Sequence, residues 1–151
     1  MPSLDPDLKA TFTESLVKTA RKLRTRFDAR VVARGLTYPR ARALHHLSTH
    51  AAMTQREQAD AMELEGPTVA RLIDGMEKLR LVRRESVKGD RRAKHVVLTL
   101  HGRTQAETVR DVSRELRDVI LTETTAEDVT VALRVLATIS LAIERDRDHA
   151  A

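Results

Sequence analysis

At 151 residues, with a formal net charge of +5 and no cysteine, the chain has the size of one ordinary domain with its own core, and disulfides and thiol redox chemistry are excluded. Its apolar runs are too short for a membrane span and its N-terminus lacks a secretory-signal pattern, so no membrane partner and a cytoplasmic location are expected. Seven bases against two acids between Arg80 and Lys94 account for the whole net charge. A local cationic patch on an otherwise balanced chain points to a polyanion, and nucleic acid is the commonest one.

Helical spacing of Leu8, Phe12, Leu16, Val17, Leu23, Phe27 and Val31 predicts one long amphipathic helix over residues 6–34, with Pro6 in its first turn and Gly35 ending it. Thr37 can cap a second helix, with Pro39 in the first turn and Ala43, Leu44 and Leu47 turned inward to about His50. Thr54-Gln55-Arg56-Glu57 is a capping box, in which each end's side chain takes the other end's free amide. It opens a third helix running to about Leu64.

In "EGPTVARLIDGMEKLRLV", Pro67 pre-sets the first turn of a fourth helix. Its Val69, Leu72, Ile73 and Met76 recur at i, i+3, i+4 and i+7 and must face a core; the opposite side holds Thr68, Arg71, Gly75 and Lys78. Two short helices joined by the tight link 62–66 read as a helix-turn-helix. Residues 81–86 and 95–99 read as two antiparallel strands, with 87–94 as their loop. A hairpin beside a helix-turn-helix is a wing. After Gly102 a fifth helix is expected over about 103–121, and Thr125 with Asp128 starts a sixth whose Val129, Leu133, Leu136, Ile139 and Ile143 continue an apolar stripe.

The expected fold is therefore mainly α: a winged helix-turn-helix with a small antiparallel β-hairpin, over about 37–100, between N- and C-terminal dimerisation helices at about 6–34 and 103–147, in a single domain of residues 1–151. The end stripes have no partner within a lone winged helix, so they are expected to pair across a twofold.

Duplex DNA is the partner this fold fits. Arg71, one turn into the fourth helix, can reach guanine O6 and N7 bidentately in the major groove; the alternative is a surface ion pair with Asp74 or Asp60. Pro67 and Thr68 can meet a thymine methyl and a phosphate or base edge, and Lys78 lies on the same face. Thr54, Gln55 and Arg56 bring a helix N-terminus and one cation to the sugar-phosphate backbone. On the wing, Arg91 and Arg92 fit the minor groove, where narrow A·T tracts concentrate negative potential. Lys88 and Lys94 are then phosphate contacts, and Asp90, an acceptor only, braces a neighbouring arginine.

Other chemistries are weaker. His45 and His46 point about 100° apart on one helix and do not easily face one ion, so no metal and no cofactor are expected. No Gly-rich phosphate loop, zincin helix or G-x-S-x-G turn is present, so no enzyme is expected. A sequence-indifferent architectural DNA-binding protein is the alternative. It needs bases all over the surface, and the first helix does add several, including Lys18, Arg21 and Arg34.

From Leu36 to Arg103 the chain resembles the MarR/SlyA family of bacterial winged-helix transcriptional regulators, in "LTYPRARALHHL", "TQREQADAMELEGPTVARLIDGMEKLRLV" and "GDRRAKHVVLTLHGR". The resemblance implies an obligate homodimer with intertwined first and last helices, binding a pseudo-palindromic operator, most often as a ligand-responsive repressor. It also implies a small aromatic or anionic effector where helices one, two and five meet, for which Phe12, Tyr38, Arg42 and His45 are the candidates. Many close relatives carry a tryptophan after the arginine of the second helix, whereas this chain reads Arg40-Ala41-Arg42-Ala43 and has three aromatic residues in all.

Overall fold

The computed structural model describes residues 3–150; residues 1, 2 and 151, part of the single domain expected above, lie outside the described residues. The chain divides after Glu115 into two compact units. The first holds α1 (Pro6–Ala33), α2 (Tyr38–Thr49), β1 (Met53–Thr54), α3 (Gln55–Met62), α4 (Gly66–Lys78), β2 (Val82–Val87), β3 (Asp90–Leu98) and the first part of α5 (Leu100–Ile120); the second holds the rest of α5 and α6 (Ala126–Ala150). The architecture is mainly helical, with one antiparallel sheet in the order β1-β3-β2, and α2 to β3 form a winged helix-turn-helix.

Local chemistry sets most element ends. Thr37 accepts the Arg40 N–H and opens α2. At α3 the capping box is complete: Thr54 Oγ1 accepts the Glu57 N–H, and Glu57 Oε2 accepts the Thr54 N–H, both at 3.1 Å. The helix stops at Met62, two residues before the expected end, because Glu63 turns left-handed at φ 55° and the Leu64 N–H returns to the Ala59 carbonyl. Thr125 accepts the Asp128 N–H and opens α6.

The core follows the predicted stripes. Val69, Ile73 and Met76 of α4 are wholly buried with Ala43, Leu44, Met62, Val82 and Val96, and Leu72 lies against them half-buried. Gln58 is buried too, its Nε2 donating to the Ala43 carbonyl at 3.3 Å, which ties α3 to α2. By contrast, along the predicted stripe of α1 only Val31 is buried, while Leu8, Phe12, Val17 and Leu23 are exposed. Separately, α6 has no buried residue, and Leu133, Leu136 and Ile143 of its stripe are exposed.

The hairpin differs from expectation. Residues 87–94 are not a loop: β2 pairs with β3 from Val82↔Leu98 through Ser86↔Lys94, then jumps to Val87↔Asp90. One step on β2 thus spans four on β3, which leaves Arg91, Arg92 and Ala93 in a bulge without cross-strand partners. Asp90 Oδ1 accepts the N–H groups of Arg92 and Ala93 at 2.9 and 3.3 Å, so the carboxylate satisfies the bulge backbone rather than bracing a guanidinium. Gly89 makes the two-residue turn possible at φ 88°. The strand β1, two residues long, pairs Met53 with Val96 and is too short to show a period.

The fifth helix begins three residues earlier than expected, at Leu100, because Gly102 is not a breaker but a contact. Thr99 Oγ1 accepts the Gly102 N–H at 3.0 Å, and the Thr99 N–H donates to the Leu81 carbonyl at 3.1 Å. A Cβ on Gly102 would run into that same Leu81 oxygen. Gly102→Ala is therefore expected to cost about 2 kcal/mol or more in urea unfolding, because backbone must move to make room. The opposite outcome is expected at Arg80, a non-glycine held at φ 58° where α4 ends: Arg80→Gly should stabilise the protein by about 1 kcal/mol in the same assay.

Candidate nucleic-acid interface

Burial of one side of α4 turns Thr68, Arg71 and Lys78 outward, and all three are exposed. They recur at i, i+3 and i+10, so they form one row, with the half-buried Gly75 keeping its middle low. Pro67, also exposed, stands at the entering end, and the N-cap residue Glu65 makes no side-chain cap.

Arg71 makes no ion pair among the described residues. Asp74, the acid offered above as its partner, is engaged by Arg84 of β2 instead, at 2.6 Å from Nη2. The same guanidinium donates through Nη1 to Glu77 Oε1 at 3.0 Å, and through Nε and Nη2 to Gln55 Oε1 at 3.1 and 2.9 Å. One side chain thus joins the wing, α4 and the start of α3. Sequence reading passed over Arg84 as one more base in a basic run. The available signal was its place in the strand alternation, since Arg84 is half-buried where its neighbours Arg83 and Glu85 are exposed.

The other predicted contacts divide into free and engaged groups. Arg56, Lys88, Arg91, Arg92 and Lys94 are exposed, and none of them is ion-paired among the described residues. Thr54 is committed to the capping box and Gln55 to Arg84, so their side-chain oxygens already have partners. Asp90 is committed to the bulge.

The four effector candidates do not come together in one chain. Tyr38 meets Phe27 edge-on at 6.0 Å between centroids, with the Arg24 guanidinium 4.6 Å from its own ring. Phe12 lies fifteen residues before Phe27 on the same helix, about 22 Å along its axis. Arg42 Nη1 donates to the Met62 carbonyl at 3.2 Å, and His45 is exposed. An open cavity of about 520 Å³ does adjoin Tyr38, lined also by Arg21, Arg24, Thr25, Asp28 and Pro39.

His46 and His50 are spaced i, i+4 on and just past α2, but His50 Nδ1 lies 3.1 Å from the His46 carbonyl, and no group of three or more possible metal ligands occurs among the described residues. No described helix is long and apolar enough to cross a membrane.

A family model described as MarR family matches residues 34–93. Among solved structures, transcriptional regulator PA3341 is 37% identical with a TM-score of 0.81, the alignment covering 89% of this chain and 98% of that one. AbsC, a MarR family transcriptional regulator from Streptomyces coelicolor, is 24% identical with a TM-score of 0.81, covering 95% and 99%. MepR of S. aureus, in a structure with DNA, is 20% identical with a TM-score of 0.78, covering 87% and 97%.

His46 is half-buried, and burial first, then the positive charge of His45, Arg42 and His50, holds its pKa below the ordinary 6.5. The unfolded chain therefore takes up the proton before the folded one does. Its contribution to stability is complete above the ordinary value and is lost as pH falls below it. Urea midpoints followed from about pH 7.5 down to about pH 5 should fall more steeply for the wild type than for His46→Gln; parallel curves would remove His46 as the cause.

Proposed function

The chain belongs to the MarR family of DNA-binding transcriptional regulators, and from that premise we propose that it works as a homodimeric repressor occluding a pseudo-palindromic operator, released by a small aromatic or anionic effector. The observation that carries the reading is the exposed row Thr68, Arg71 and Lys78 on α4, next to a wing whose bulge presents Arg91 and Arg92. An α-helix with such a row fits the major groove, and a basic protrusion fits the adjoining minor groove.

In this reading Arg71 makes the base contact, and Pro67 and Thr68 touch a base methyl and a phosphate. Arg56, Lys78, Lys88 and Lys94 neutralise phosphates, with Thr54 and Gln55 shaping the α3 N-terminus beside them. Asp90 keeps the bulge folded. The dimer accounts for the exposed stripes: α1 shows Leu8, Phe12, Val17 and Leu23, and α6 shows Leu133, Leu136 and Ile143, which a second copy would cover. For the effector, Tyr38 with Arg21 and Arg24 offers an aromatic face and two cations around an open cavity, the chemistry of an aromatic carboxylate. Phe12, Arg42 and His45 are the other residues tied to this proposal.

The test begins with duplexes selected from genomic fragments by the protein, compared with random duplex of equal length at fixed salt. Two half-sites are expected about 34–36 Å apart on one face of the duplex. Arg71→Ala should cost about 1–3 kcal/mol on the selected site and little on random DNA. Arg91→Ala and Arg92→Ala should weaken both and make the slope of log K against log salt shallower, by about one unit per phosphate-neutralising charge lost. Equal losses for Arg71→Ala on both duplexes would favour the architectural alternative. Sedimentation at micromolar concentration should give a dimer, and a well-behaved monomer would refute that part.

A further inference from the structure

We propose that Arg84 is the positioning residue of the DNA-reading surface: by holding Asp74 and Glu77 against the wing strand, it keeps both carboxylates of α4 away from Arg71 and from phosphate. The inference rests on the proposed function, in which α4 reads the major groove. It adds the reason Arg71 is available to do so.

Three observations carry it. The first is spacing. Asp74 follows Arg71 by three residues on α4, the separation at which an aspartate and an arginine pair on a helix surface, yet the Asp74 carboxylate lies 2.6 Å from Arg84 Nη2 and Arg71 has no acidic partner among the described residues. The second is saturation. Arg84 makes four hydrogen bonds, two to Gln55 Oε1 and one each to Asp74 and Glu77, and its side chain is only 19% exposed, so the guanidinium is spent inside the protein. The third is position. Arg84 pairs with Val96 in the middle of the hairpin, so its reach to α4 and α3 fixes the wing against both helices. Removing the guanidinium would do two separable things: loosen the wing, and leave two carboxylates free on α4, one of them within reach of Arg71.

A double-mutant cycle separates these effects. The ratio of affinities for a genomically selected duplex over random duplex is measured for wild type, Arg71→Ala, Arg84→Met and the double variant, with melting temperatures for all four. Arg84→Met is expected to lower that ratio by about tenfold, the value of a good bidentate base contact, and the double variant to lose little more than either single change. Restoring variants add a second reading: Asp74→Asn with Glu77→Gln, placed in the Arg84→Met background, should recover most of the lost ratio although the wing link stays broken. Independent, multiplicative losses in the cycle, or no recovery on neutralising the carboxylates, would reduce Arg84 to a structural staple and overturn the proposal. If Arg71→Ala in the otherwise wild-type protein leaves the ratio unchanged, it is the major-groove reading that fails, whatever Arg84 does.

Discussion

Burial of Val69, Ile73 and Met76 fixes the rotation of α4 about its axis, and almost everything else on the exposed face of the helix-turn-helix depends on it. Each such side chain contributes about 1.5–3 kcal/mol when removed from water. A rotation by one residue, about 100°, would turn the stripe out of the core and carry Arg71 to a half-buried place. Single polar contacts in the interface are worth about 1 kcal/mol net, so they adjust to the orientation the core imposes and do not set it. The exposed row of Thr68, Arg71 and Lys78 is therefore the remainder left by a hydrophobic constraint.

On that fixed helix, charge is arranged by pairing rather than by amount. Asp74 and Glu77 of α4 are tied down by a partly buried arginine, whereas Arg91 and Arg92 at the hairpin tip are exposed and unpaired among the described residues. Water and salt screen the exposed charges over about 10 Å. The guanidinium of Arg84 works differently: with only 19% of its side chain exposed, it is screened less by salt than the bases at the hairpin tip. Two kinds of cation thus share one short stretch of sequence, and burial decides which is which.

How much of this could be read in advance follows from the range of each interaction. The capping box, the threonine cap of α6 and the inward stripes of α2 and α4 involve residues three or four apart, so spacing alone exposes them. The partners of Arg84 lie seven, ten and twenty-nine residues away, and no local period records them. The fifth helix is expected only after Gly102, because the reason for a glycine there, the Leu81 carbonyl, is twenty-one residues upstream. The stripes of α1 and α6 are legible as apolar and as lacking a partner within one winged helix, and Leu8, Phe12, Leu133 and Ile143 are indeed exposed; a period does not show what covers them. Among the expected site residues, Arg71 and the hairpin-tip bases stand exposed, as residue type and placement suggest; the engagement of Thr54, Gln55 and Asp90 with their own fold was only partly visible.

The bulge at Arg91, Arg92 and Ala93 has a consequence for divergence. Because these three residues have no partner across the hairpin and their backbone is held by one aspartate, the ladder below them keeps its register whatever side chains they carry. The tip is a mechanically insulated module. Its charge, bulk or even length can change without renegotiating the core, a freedom that the packed side of α4 does not have.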